Sequence, residues 1–237
     1  LLNSNSTSAG DFATAIANAG ANSTVVLSGN YTNVSSFTTV QNGQTIVGGG
    51  ALDIKTPTGR SVTVTIPDSS ISGPGDSGGG SGAGRFFDMA DNSSLIGVTA
   101  NLTRSSSTTI VRIANKKNVT IRDNKLTTTV SGSTASTFDI EDGQNITIEN
   151  NDISIIANGS TSHFLAIRGT NSNIRVNDNK ISTTGTAATK RYILLAGSVN
   201  ISNLSGTGNT SNITTCYIGG SLGTVTGTIT TSGTNCP

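Results

Sequence analysis

Hydrophobic positions in this chain alternate with polar ones in short runs, and the runs return at a fixed distance. Phe87–Met89, Ile110–Ile113, Phe138–Ile140, Phe164–Ile167 and Ile193–Leu195 are brief apolar stretches. Each is followed within about ten residues by a second stretch: Ile96–Val98, Val119–Ile121, Ile146–Ile148, Ile174–Val176 and Val199–Ile201. Val119, Ile146, Ile174 and Val199 follow one another at 27, 28 and 25 residues. The period within each unit is two and β-branched residues dominate, so the units are strands. The nonamers NVTIRDNKL (118–126), NITIENNDI (145–153) and NIRVNDNKI (173–181) make the repeat visible by eye.

Periods of 20 to 30 residues with two or three short strands each predict a solenoid. The dense leucine pattern of leucine-rich repeats is missing. The predicted fold is therefore all-β, a right-handed parallel β-helix in one domain, 1–237. The only helix expected is a short N-terminal cap over SAGDFATAIANA (8–19), with Ser8 and Asp11 resembling a capping box and Phe12, Ile16 and Ala19 on one face. Residues 1–30 form the cap and first strand, and 31–84 irregular first coils that include a strand at SVTVTIP (61–67) and a Gly-rich loop at 73–84. Regular coils occupy 85–205, and 206–237 the last coil.

Within the coils, Asn124, Asn151 and Asn179 hold one position, three residues after an inward apolar side chain. They are expected to form a structural ladder: Asn tolerates the left-handed corner, and its amide bonds to the amide of the next coil. Two outward columns carry charge. Arg122 and Glu149 stand in one, followed by Asn177. Lys125, Asp152 and Lys180 stand in the other, a predicted ladder of ion pairs about 4.8 Å apart, worth roughly 0–1 kcal/mol each and serving mainly register and solubility.

Composition narrows the function. Charged residues are 11% of the chain, and Thr, Ser, Asn and Gly fill the deficit. Fourteen basic and thirteen acidic side chains leave no basic excess to bind nucleic acid. No apolar run is long enough to span a membrane. The chain opens at Leu1 without an initiator Met or signal peptide and is read as a mature or excised portion of a longer protein. Cys216 and Cys236 lie near the C-terminus with no His or further Cys close in sequence. They predict a disulfide, worth roughly 3 kcal/mol for a loop of that size, in a protein outside the reducing cytosol.

Little of the remaining sequence points to catalysis. GDSGG (75–79) resembles the nucleophile region of chymotrypsin-like proteases, where a His precedes the Ser. Here the single His163 follows Ser77 by 86 residues. The NTD, GDD, GHG and RIK strings of polygalacturonases do not occur. DIEDG (139–143) is the only local acidic cluster, with Asp139 and Glu141 on one strand face, and is read as a solvated acidic turn. Asp123 and Asp178 share a column with Asn150 between them. TVTGTITT (224–231) reads as outward Thr on a half-buried strand, not an ice-binding ladder. Sequons such as Asn101-Leu-Thr103 and Asn118-Val-Thr120 are expected by chance at this composition. No metal or cofactor is expected.

Gly43-Gln44-Thr45, Gly48 to Gly50, Pro67-Asp68, Asn92-Ser93-Ser94 and Ile96-Gly97-Val98 follow a pattern of their own. Together they resemble the β-helical passenger regions of bacterial inverse autotransporters, of the intimin and invasin secretion type. The resemblance covers roughly a third of the chain and carries no catalytic residue. It implies a passenger displayed on a Gram-negative surface, anchored through an outer-membrane barrel outside this chain, that contacts a host or matrix molecule or a glycan. The alternative is a polysaccharide-binding or polysaccharide-degrading β-helix. The strand edges at the ends of a solenoid also suggest weak self-association.

Overall fold

The computed structural model describes residues 1–55, 58–75, 84–159, 161–213, 215–219, 222–231 and 234–236. Its strands stack in parallel into a β-solenoid of about eight turns. Three walls run along it. The first holds Thr45–Val47, Ser94–Ile96, Lys117–Arg122 and Gln144–Glu149. The second holds Ser70–Gly73, Thr99–Arg104, Lys125–Val130, Asp152–Ala157 and Lys180–Thr184. The third holds Phe87–Asp88, Thr108–Ala114 and Thr134–Glu141. Two long strands, Thr161–Asn177 and Thr189–Ser211, continue from the third wall into the first.

The alternating pattern builds this stack because every second side chain enters the lumen. Val119, Ile146 and Ile174 are in register, as are Leu126, Ile153 and Ile181 on the second wall, and Phe138, Leu165 and Ile193 on the third. All nine are buried. Phe138, Phe164 and Tyr192 contact one another through successive coils, the first pair edge to face, with ring centroids 5.6 and 5.1 Å apart.

Two units align differently from expectation. Leu204, not Val199, stands opposite Ile174, while Val199 pairs with Gly169. The register shifts between Ile167 and Gly169, where the later coil carries two extra residues. At the other end Leu95, not Val98, stands in the column of Ile121, and Ile96, expected beside Val119, pairs with Arg122. The corner asparagine decides this: Leu95 follows Asn92 at the same distance that Ile121 follows Asn118.

The N-terminal end is covered by the helix Phe12–Asn18, which buries Phe12 and Ile16. Phe12 packs on Tyr31 with centroids 4.8 Å apart. Gln44, fully buried, donates from Nε2 to the carbonyl of Ile16 at 2.9 Å and that of Gly20 at 3.2 Å, satisfying the helix C-terminus. Ser8 and Asp11 hydrogen-bond one another, but the helix begins only at Phe12, and Ala19 is exposed. At the C-terminal end Thr234–Cys236 folds back antiparallel on Leu222–Thr231, and Cys216 is bonded to Cys236.

SVTVTIP does not join the stack. Gly50–Lys55 and Ser61–Ile66 form a separate antiparallel hairpin in which Leu52 faces Val64 and Ile54 faces Val62. Ile54, Val62 and Val64 remain exposed. Residues 76–83 of the Gly-rich stretch, Ser77 of GDSGG among them, lie outside the described residues.

Candidate functional site

The three predicted asparagines are buried and joined amide to amide. Asn124 Nδ2 donates to Asn151 Oδ1 at 2.9 Å, and Asn151 Nδ2 to Asn179 Oδ1 at 2.9 Å. The ladder extends one coil further, to Asn209 Oδ1 at 3.1 Å. Each Oδ1 also accepts the backbone N–H of the asparagine one coil before it. These asparagines are not the left-handed residues. That conformation belongs to the residue before each, Asp123, Asn150 and Asp178, with φ of 60°, 53° and 53°. The amide therefore enters the lumen side while its neighbour turns the corner. In the same corner column, a Cβ on Gly97 (φ 64°) would sit 2.2 Å from the Gly49 carbonyl oxygen, so only glycine fits.

A second ladder went unread in the sequence. Asn92, Asn118, Asn145, Asn173 and Asn203 all have positive φ, and each Nδ2 from Asn118 onward donates to the preceding Oδ1 at 2.7–2.9 Å. The signal was an Asn or Asp at intervals of three and then five residues: Asn115, Asn118, Asp123, then Asp142, Asn145, Asn150.

The charge columns are in register, Lys125 with Asp152 with Lys180, and Arg122 with Glu149. Ion pairs do not run along them. Arg122 turns to its neighbour Asp123, and among the described residues no salt bridge joins Lys125, Asp152 and Lys180. Asp123 instead accepts from Asn150 Nδ2 at 2.5 Å. Lysine heads in water gain too little from one carboxylate to be held there.

The most built polar site lies on the third wall, in the region expected to be a solvated turn. DIEDG is strand through Glu141, and Asp139 is only 6% exposed. Arg112 pairs in register with Asp139, and Glu141 with Arg168. The ion pairs run diagonally instead: Arg168 Nη1 to Asp139 Oδ2 and Arg112 Nη2 to Glu141 Oε2, both 3.3 Å. Below them Arg85 contacts Asp88 at 3.2 Å and lies over the Phe37 ring at 4.5 Å. These arginines, Asp139 and the hydroxyls of Ser107, Thr108, Thr109, Thr134 and Ser136 line a cleft of about 230 Å³. Burial raises the Asp139 carboxyl above its ordinary range, with Arg168 and Arg112 pulling against it. Asp88 is raised for the same reason, opposed chiefly by Arg85.

His163 sits in register with Ser136 and Arg191 and is 3% exposed. Burial, with Arg191 and Arg168 adding to it, pushes its imidazole down to about 4, so it is neutral at pH 7. No group of three or more His, Cys, Asp or Glu able to hold a metal occurs among the described residues.

No family model matches this chain, and no curated protein or solved structure matches it either.

Proposed function

We propose that this chain is a non-enzymatic passenger of the inverse-autotransporter type, displayed on a bacterial surface and contacting a host or matrix molecule through its side wall. The observation that carries this reading is the Asp139 cleft, a charged, hydroxyl-lined depression in a wall otherwise occupied by repeating stacks. A solenoid suits such a role because coils stack into a long stiff body whose sides are extended binding surface. The passenger assignment itself rests on the resemblance over Gly43–Val98.

The second reading, a polysaccharide-degrading β-helix, is favoured by one observation. Asp139, with its raised carboxyl, lines the cleft, and Glu141, two residues on, pairs with the lining Arg112 beside it; a pair of carboxyls is what glycoside hydrolysis uses. Incubation with a panel of polyuronides and neutral glycans separates the two. Adhesion of the purified chain to matrix-coated surfaces without release of new chain ends supports the first reading. Turnover of any polymer establishes the second.

A further inference from the structure

We infer that the Asp139 cleft binds a short stretch of uncharged glycan through Asp139, Thr108 and the two outward arginines. The inference rests on the reading of this wall as a contact surface and names the class of molecule it takes.

The first ground is a pair of unsatisfied buried atoms. Asp139 is 6% exposed and Thr108 1%, and both line the cleft. Asp139 Oδ1 and Thr108 Oγ1 are buried and have no hydrogen-bond partner among the described residues. Buried polar atoms in folded proteins are almost always paired, so two orphans in one depression point to a partner from outside. Asp139 Oδ1 requires a donor. Thr108 Oγ1 takes either a donor or an acceptor.

Charge sets the class. Arg85, Arg112 and Arg168 are matched by Asp88, Glu141 and Asp139, each pair within 3.3 Å. Three arginines and one carboxylate, Asp139, line the cleft, but each guanidinium already holds a carboxylate partner, Asp88 and Glu141 standing beside the lining. A uronate or sulfate would have to compete with a carboxylate at each one. A sugar hydroxyl donates and accepts at once, which suits a site alternating carboxylate, guanidinium and hydroxyl. Arg112 and Arg168 side chains are 33% and 45% exposed, leaving N–H groups open to ligand oxygens. The volume, about 230 Å³, is below that of a typical drug-sized pocket and suits one or two sugar rings of a longer chain.

The test is calorimetric titration of the whole chain with maltohexaose, mannohexaose and chitohexaose, and with polygalacturonate and heparin as anionic probes. Binding to at least one neutral hexasaccharide is expected, weakened tenfold or more by Asp139→Asn and about fivefold by Thr108→Val, with Lys125→Ala unaffected. Thr108→Val is nearly isosteric, which keeps the test intact should Asp139→Asn misfold. Binding to anionic probes alone, no neutral binding at millimolar ligand, or neutral binding unchanged in both variants overturns the inference. Adhesion to a deglycosylated matrix is the separate arm. A chain that adheres there but binds no neutral hexasaccharide defeats this inference and leaves the contact function standing. Glycan binding without adhesion does the reverse.

Discussion

Asn151 receives two hydrogen bonds from Asn124, from the backbone N–H at 3.0 Å and from Nδ2 at 2.9 Å, both ending on Asn151 Oδ1. Its own Nδ2 serves the Ile121 carbonyl and Asn179 Oδ1 at 3.1 and 2.9 Å. One amide thus satisfies buried polar groups in two neighbouring coils.

Asn151→Ala takes the side-chain acceptor from the Asn124 backbone N–H and the amide donor from the Ile121 carbonyl, at about 1–3 kcal/mol for each group left uncompensated. Asn124 Nδ2 keeps the Leu95 carbonyl, and Asn179 Oδ1 keeps the backbone N–H of residue 151. A total loss of about 3 kcal/mol is expected from urea unfolding, and Asn151→Gly should lose as much. At Asn145, exposed and at φ 55°, the backbone conformation matters more than the amide. Asn145→Ala should cost about 1 kcal/mol, from the left-handed penalty on a Cβ, and Asn145→Gly less.

Thr128 is fully buried between Leu102 and Ile155, and its hydroxyl has no partner among the described residues. Thr128→Val keeps the shape and removes the orphan. It should stabilise the fold by about 1 kcal/mol, read as a higher urea midpoint at unchanged slope.

The Cys216–Cys236 bond closes a loop of 20 residues and pins the strand that folds back over the last coil. Replacing both by Ser should cost about 3 kcal/mol on the chain-entropy model. Hydrogen exchange should accelerate in Leu222–Thr231 while Gln144–Glu149 stays protected.

His163 titrates near 6.5 in the unfolded chain and at about 4 in the folded one. Between these values the unfolded chain takes up the proton and the folded chain does not. The stability is thus whole above pH 6.5 and is lost as pH falls toward 4, by about 3 kcal/mol in all. Asp88 and Asp139, raised by burial, act in the opposite sense, protonating first in the folded state as pH falls. Comparing urea midpoints at pH 7 and 4.5, His163→Gln should lose less stability than the parent.

The stack was legible in the sequence because Val119, Ile146 and Ile174 repeat an inward position that tolerates only apolar side chains. Asn124, Asn151 and Asn179 stood out because they recur three residues after an inward apolar position. The left-handed corner expected of them falls instead on Asp123, Asn150 and Asp178, a placement that residue type alone does not decide because Asn and Asp both tolerate it. The cleft was not legible. Arg112, Asp139 and Arg168 come from three coils, and only diagonal contact across stacked strands makes them a site. DIEDG looked solvent-facing because acidic residues mostly are. The hairpin was hidden because Val62 and Val64 alternate as coil strands do, and alternation does not say which strand will be the partner. The two extra residues before Val199 shifted a column that equal spacing would have kept.

The central claim is that contact runs through the third-wall cleft and not through the solenoid's charged surface in general. The direct measurement is adhesion of beads coated with the chain to a glycan-bearing matrix. It compares the Arg112→Ala, Arg168→Ala double variant with the Lys125→Ala, Lys180→Ala double variant on the second wall. The first should lose at least tenfold in bound beads and the second should match the parent. Equal loss in both, or full adhesion by the arginine variant, would contradict the account.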